Sequence, residues 1–569
     1  MRHFRKLQKT CCKYQVLLIS FFSLVMCLSC SGNEDPVKPD KPVIIDEPID
    51  PDFPTNPQVI DTDGAVVIKF GAQVETITNP FENKGVTITH YEANVVVQST
   101  ATDTITYILT GTTPDGSLKI YSDMPFGLIM NGVDIVNSND PALNIQSHKR
   151  VSVTLVEGAS NRLGGGIGFI SEEGGEDMKA AFFSEGQLIF SGKGSLTVIS
   201  RYRHAICSDN YIRINGGTFT IPMSANDGLH ANEYIEINDG TIEINSIGDG
   251  MDSEGHVLIT GGSIFITTTG DKGHGIKSAT ETTIQSSGDI KINVTGDASK
   301  AFKCGGDMLI SQGNLSLTTS GDASYDDSEG EISSASGIKC NSNLTVNGGA
   351  VIINSTGLGG KGISVEGKLT INNGEIAVIA TGDAYKQSDN TKAKAIKNDG
   401  DLIINDGLIY ADCKTDNAID TKGSMSITGG TVIGVGRELT KKAFECAKTF
   451  SISGGTLVGT GGVSGLPTAS ACTQYVVNYS GGITQNTYLT ITSSAGNNIL
   501  TYQSPYTQSK AFILFSSPEL ARNANYTLTS GGAISGGSSF YGLYNGATHT
   551  GGTVCASFTI TSMITNLNN

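Results

Sequence analysis

The sequence predicts an all-β protein, a right-handed parallel β-helix (a solenoid) with a small C-terminal β region. Three observations predict it. A phrase of strand, Asn/Thr-x-Gly turn, strand and Gly-Asp loop recurs about ten times, most copies roughly 22–26 residues apart. Apolar residues alternate within each strand: Ile235, Ile237, Ile242 and Ile244 share one face, and Tyr234, Glu236, Thr241 and Glu243 share the other. Each copy also opens with a third short element, such as residues 228–231 or 250–253, whereas stacked hairpins would come in twos.

The chain divides in order into four parts. Residues 1–29 read as an export signal of the lipoprotein type, with Arg2, Arg5, Lys6, Lys9 and Lys13 ahead of an apolar run from 16 to 28. That run is short for a membrane span. Cys30 stands where a bacterial lipoprotein is acylated, and plain secretion is the alternative. Residues 30–57 form a Pro- and Asp-rich tether, extended and semi-rigid. Residues 58–465 form the solenoid, whose opening to about 140 is less regular. Residues 466–569 form a C-terminal β cap or small β domain that covers the open end of the rod. Lipid, tether and rod together predict a protein of the bacterial cell envelope, anchored in a membrane through its lipid, at the outer membrane or cell surface.

Eleven small–apolar pairs mark the turns, from Ala181-Phe182 through Ala205-Ile206, Gly228-Leu229 and Gly250-Met251 to Ala443-Phe444. At about 4.8 Å per turn they give a rod of roughly 50 Å. Longer gaps before Gly337 and Ala395 predict loops. The corner between the later two strands carries glycine, as in Asn238-Asp239-Gly240 and Thr260-Gly261-Gly262, because it needs a positive φ. Cys304, Cys340 and Cys446 fall at the inward small position and read as buried small hydrophobes.

The net charge of −17 disfavours nucleic acid, whose binders carry a basic face. Two stripes carry candidate chemistry. The outward residue of the first strand is, turn by turn, Phe183, Cys207, His230, Asp252, Lys277, Lys303, Lys339, Ser364, Lys397, Asp420 and Glu445. Its three successive lysines repel one another unless something negative lies on them. The plainer reading is a set of solubility lysines with Asp252–Lys277 as a cross-strand pair. The second stripe is the aspartate of each entry loop: Asp227, Asp249, Asp271, Asp297, Asp322 and Asp383, with Asp326, Asp327 and Glu329 in one longer loop. Such hard oxygen ligands suit Ca²⁺, and Asp227, Asp249, Asp252 and Asp271 are the predicted metal group. Ordinary turn chemistry explains any single one of these aspartates.

The phrases at 226–231, 248–255 and 259–264, with the openings at 128–135 and 153–163, resemble the bacterial carbohydrate-binding β-helix family typified by a clostridial cellulose- and pectin-binding protein. The resemblance implies a right-handed β-helix, bound calcium, and affinity for cellulose or acidic polysaccharide, with a distant likeness to calcium-dependent pectate lyases that use a lysine base. Family loops carry two adjacent aspartates, whereas this chain has Asn226-Asp227 and Gly248-Asp249. The favoured reading is non-catalytic, calcium-assisted binding of a polysaccharide along His230, Asp252, Lys277, Lys303 and Lys339. The lack of tryptophan tilts it towards acidic glycans, leaving Tyr202, Tyr211 and Tyr234 as candidate sugar platforms. The alternatives are a lyase with Lys277 or Lys303 as base, and a structural rod or adhesin that meets other surface proteins.

Overall fold

The computed structural model describes residues 64–169, 175–326, 330–386 and 391–568. The signal, Cys30, the tether, Asp327, Glu329 and the side chain of Asp326 lie outside the described residues. Among the described residues no helix is long and apolar enough to cross a membrane.

The chain winds as a parallel β-solenoid with three walls. The first wall stacks fourteen parallel strands, from Asn94–Ser99 to Phe444–Cys446. Three of them (Asn94–Ser99, Ser117–Ser122 and Leu143–Ile145) precede the first small–apolar pair, so the coil has fourteen turns and not eleven. Those early turns bury Val95, Val97, Leu118 and Ile120 without the repeat phrase. At about 4.8 Å per turn the stack is about 60 Å long.

Alternation sets the register. In the first wall Leu229, Met251, Ile276, Phe302 and Ile338 stack directly on one another and are buried. The second wall includes His256–Ile259 and Thr282–Ile284, and the third includes Ser263–Thr268 and Asp289–Val294. The strand Tyr234–Ser246 runs unbroken through the corner between these two walls and joins them into one 29-stranded sheet. Ile242, Ile264 and Ile290 form one inner column, fully buried, each contributing about 1.5–3 kcal/mol. Thr282 breaks the apolar run, and its hydroxyl is satisfied by the Ser278 hydroxyl at 2.7 Å.

The corner is held by side chains as well as by glycine. Gly240, Gly262, Gly349 and Gly430 sit at φ +106°, +76°, +84° and +77°. Beside them the Asn238 amide donates to Asn215 Oδ1 at 2.9 Å, and the Thr260 hydroxyl donates to Asn238 Oδ1 at 2.6 Å. One polar ladder therefore links successive turns.

A reversed strand covers the first wall at the start of the coil and the third wall at its end. Val86–Tyr91 pairs antiparallel with Asn94–Ser99 at the start of the first wall. At the other end Gln508–Ser516 pairs antiparallel with Thr456–Gly461 and with Val476–Ile483. Beyond it a six-stranded antiparallel sheet, built on Tyr488–Ser493, Asn498–Gln503, Asn525–Ser530 and Thr553–Thr559, shares an apolar cluster with the outer faces of Tyr410, Ile433 and Val458. Tyr541 stacks on Tyr410 with ring centroids 4.0 Å apart.

Candidate functional site

The outer face of the first wall gathers the chemistry. From Leu143–Ile145 onward its strands are only three to five residues long, and the small residues flanking each outward side chain keep the wall flat. Cys207, His230, Asp252, Lys277, Lys303, Lys339, Ser364, Lys397, Asp420 and Glu445 pair turn by turn in one register, so the sequence stripe is a physical column.

A second column runs beside it, made of the residue just before each small–apolar pair. It reads His204, Asp227, Asp249, His274, Lys300, Ser336, Lys361 and Lys394. His204, His274 and Lys300 were not singled out by the sequence reading, which followed the outward residue after the pair and, in the entry loops, only the aspartates. The signal was present in His-Ala-Ile, Asp-Gly-Leu, Asp-Gly-Met, His-Gly-Ile and Lys-Ala-Phe at 204, 227, 249, 274 and 300.

Where the two columns meet, charges interlock. Asp227 Oδ2 lies 3.0 Å from His204 Nδ1 and 3.2 Å from His230 Nδ1. The two imidazoles stack with centroids 4.4 Å apart. Asp252 Oδ2 is 3.5 Å from His230 Nδ1 and 3.0 Å from Lys277 Nζ, and Asp249 Oδ2 is 3.5 Å from the same ammonium. Asp227 Oδ1 accepts the Asp249 backbone N–H at 2.8 Å, and Asp249 Oδ1 accepts that of His274 at 2.6 Å. His274 Nδ1 in turn accepts the Lys300 N–H at 3.1 Å. Asp227, Asp249, Asp252 and His274 are each at most 7% exposed.

Burial opposes every charge here, and the partners decide which survive. Burial works against the Asp227 carboxylate, but the imidazoles of His204 and His230 close to its Oδ2 outweigh it and hold the carboxyl far below the usual range. Asp227 and Asp252 likewise outweigh burial at His230 and raise it to about 10. Asp249 is buried beside two other carboxylates and is pushed up to about 8, with Lys277 only partly offsetting them. Burial, with Lys303, Lys300 and Lys277 nearby, keeps His274 neutral. Asp252 and Asp249 overcome burial at Lys277 and raise it above the ordinary lysine value. An ammonium held in its charged form is a poor general base, so the geometry gives no support to Lys277 in that role.

The other predicted site residues are placed as follows. Asp271 is exposed and has no contact with the three buried aspartates, so the four do not form one group. Its Oδ1 accepts the Asp297 N–H at 2.9 Å, Asp297 does the same for Asp322 at 2.8 Å, and Asp322 for Leu358 at 2.7 Å. That ladder is turn chemistry with one carboxylate oxygen left over per turn. Lys339 pairs with Glu366. Lys303 stands in register between Lys277 and Lys339. Tyr211 is buried and stacks on Tyr234, which stacks on His256, so these ring faces are covered by one another. Tyr202 is partly exposed, with Phe169 edge-on at 5.3 Å.

Calcium does not fit the buried group as it stands. Two of its oxygens are taken by backbone N–H groups, and Lys277 occupies the open side of Asp249 and Asp252. A hard ion seeking six to eight oxygens would have to displace that lysine.

Loops bound the face. Glu176 bonds Lys119 at 2.6 Å and also Tyr121, and Lys179 bonds Asp209 at 2.8 Å, so residues 175–179 lie over the turns before His204. Further along, a hairpin of Ser324–Asp326 and Glu331–Ser333 reaches Lys300, whose Nζ donates to Ser333 Oγ at 2.7 Å.

A profile of the family described as carbohydrate-binding domain-containing protein matches residues 92–359 and 355–438, together more than half of the chain. The chain belongs to that family. The matched span covers most of the solenoid and both columns of the first wall except Glu445. A family relative of the same description from Acetivibrio thermocellus is 30% identical over 119 residues, which is 20% of this chain and 41% of the relative. The alignment thus spans less than half of that relative's length. The solved structure of a polysaccharide lyase-like protein from C. thermocellum, a gadolinium derivative, is 25% identical, with 44% of this chain and 96% of that chain covered at a TM-score of 0.38.

Proposed function

We propose that the protein binds polysaccharide on the outer face of the first wall, without catalysis, and that acidic glycans are preferred. Membership of the carbohydrate-binding family supports the sugar. The observation that carries the choice of face is the in-register column Lys277, Lys303 and Lys339 on a flat wall. From His230 to Lys339 the column spans four intervals, about 19 Å, long enough to meet several sugars of one chain. Among the described residues, Lys339 forms an ion pair with the half-exposed Glu366. Such a pair is worth about 0.2–1 kcal/mol, so a glycan carboxylate can take the place of Glu366 at little cost. The negative charge of the whole chain is screened beyond about 8 Å at physiological salt, and the local lysines govern the encounter. Calcium enters this proposal as a bridge between glycan carboxylates and the spare oxygens of the Asp271, Asp297 and Asp322 ladder. At the cell, a lipid on Cys30 and the tether would hold the rod off the membrane.

A glycan array with the full mature chain, with and without chelator, tests the reading. The expected result is binding to polygalacturonate-type polymers, weakened by chelator and weakened at least tenfold by the double variant Lys303→Glu, Lys339→Glu. Absence of glycan signal in both conditions overturns the proposal. Steady release of unsaturated, ultraviolet-absorbing products from polygalacturonate would replace it with the lyase.

A further inference from the structure

We propose that His204, Asp227, His230 and Asp252 form a site for one borderline divalent transition-metal ion of the Zn²⁺ class, clamping three consecutive turns. The proposal is independent of the sugar reading. One donor atom each from His204, Asp227 and His230 lies within 4.8 Å of the others, and the surroundings are buried. Three of the donor separations in the group are close to the edge of a tetrahedral zinc site. Ligands about 2.0–2.1 Å from zinc stand about 3.3–3.4 Å from one another. The three measured edges are 3.0 Å (His204 Nδ1 to Asp227 Oδ2), 3.2 Å (His230 Nδ1 to Asp227 Oδ2) and 3.5 Å (His230 Nδ1 to Asp252 Oδ2).

Two buried atoms of the group are unsatisfied. Asp252 Oδ1 has no hydrogen-bond partner although Asp252 is 7% exposed, and His204 Nδ1, which faces Asp227 Oδ2, makes no hydrogen bond of acceptable geometry. Unpaired polar atoms at such depth are costly. An ion at the centre of the four side chains satisfies both. Asp252 can serve it and Lys277 together, since its Oδ2 already holds the ammonium at 3.0 Å.

The donor set selects the ion. Two imidazoles with one or two carboxylates suit Zn²⁺, Cu²⁺ or Ni²⁺, whereas Ca²⁺ and Mg²⁺ seek oxygen alone. The chain also selects a role. His204, the Asp227–His230 pair and Asp252 belong to three successive turns of the wall, so a bound ion adds a tie to the backbone bonds and the corner ladder that already join them.

The test uses the full mature chain, stripped with chelator and then dialysed against Zn²⁺ in the presence of millimolar Ca²⁺. The expected result is one equivalent of zinc retained and an X-ray absorption spectrum with two imidazoles in the ligand shell. The double variant His204→Asn, His230→Asn should lower zinc affinity at least tenfold while Asp239→Asn at the distant corner leaves it unchanged. A ligand shell of oxygen alone, retention of less than a fifth of an equivalent, or unchanged zinc binding in a folded double variant overturns the proposal. If the double variant loses its strand circular-dichroism signal, the spectrum of the unaltered chain decides.

Discussion

Replacing Lys277 by methionine keeps the apolar stem and removes the charge that two buried carboxylates share. Asp252 Oδ2 is 3.0 Å and Asp249 Oδ2 3.5 Å from its Nζ, and both aspartates are 7% exposed. Removing one partner of a buried pair costs about 3–5 kcal/mol. Just over a third of the Lys277 side chain is open to water, and that screening brings the loss to about 2–3 kcal/mol. The loss depends on pH with a definite sign. In the unaltered chain Asp252 is lowered by His230 and Lys277 against its burial, so it adds stability above the unfolded carboxylate value near pH 4 and loses it as pH falls through the folded value. In Lys277→Met the folded values of both carboxylates rise, with His230 still holding Asp252 down. Their cost is absent below about pH 4 and grows with pH by at most about 1.4 kcal/mol per unit and per group. Asp249, already raised to about 8, takes a proton first and relieves the lower end of that window. Urea unfolding followed by circular dichroism, in chelator, should show a deficit of about 2–3 kcal/mol near pH 8.5 that shrinks to about 1 kcal/mol near pH 5. An equal deficit at both values, or a larger one in acid, refutes this account of the network.

Ile264→Ala, in the fully buried column between Ile242 and Ile290, should lower stability by about 2–5 kcal/mol, with amide exchange rising first in the turns on either side. Gly349→Ala places a Cβ 2.5 Å from the Gly313 carbonyl oxygen at φ +84°, so strain of about 1–3 kcal/mol adds to a backbone collision and the urea midpoint should drop. Tyr541→Ala removes the ring stacked on Tyr410, worth about 0.5–1.5 kcal/mol, and should speed limited proteolysis of the C-terminal sheet while leaving glycan affinity unchanged.

The winding was legible because each repeat prints its own geometry. A period-two run, a corner glycine and a small–apolar pair fix which atoms face in, and Ile235 and Ile264 are buried where that pattern puts them. The early turns were less legible, since Leu118 and Ile120 alternate without the corner phrase and without a small–apolar pair. Half of the candidate site was legible too. The outward column from His230 to Lys339 follows from alternation alone. The partner column did not, because its members precede the small–apolar pair and so fell in what the sequence presents as loop. Asp227 and Asp249 were singled out there as calcium ligands, but that His204 lies over the same carboxylate oxygen as His230 depends on how two successive turns superpose. No single turn contains that information. Asp271 shows the reverse case: it has the same Gly-Asp spelling as Asp249, yet the residues that follow it carry it to the solvent side of the corner.

The same wall position changes chemistry according to the loop that precedes it. Successive turns of roughly 22–26 residues place Asp227, Asp249, His274 and Lys300 one above the next, linked by bonds to backbone N–H groups. Where the chain inserts extra residues, before Gly337 and before Ala395, the insertions fold against the lysines. Lys361 occupies the position equivalent to Asp249, but it is 7% exposed and its Nζ donates to the Gly359 carbonyl at 2.8 Å. Burial, with Lys394 and Lys397 adding their charge, pulls it down to about 7. One repeat position thus yields a buried ion network where the turns are uniform and a half-neutral, enclosed amine where they are not. Loop length, as well as the identity of the wall residue, thus sets which charges this face can offer to a ligand: Lys361 is enclosed against the Lys392 carbonyl, while Lys277, Lys303 and Lys339 stand in register along the wall.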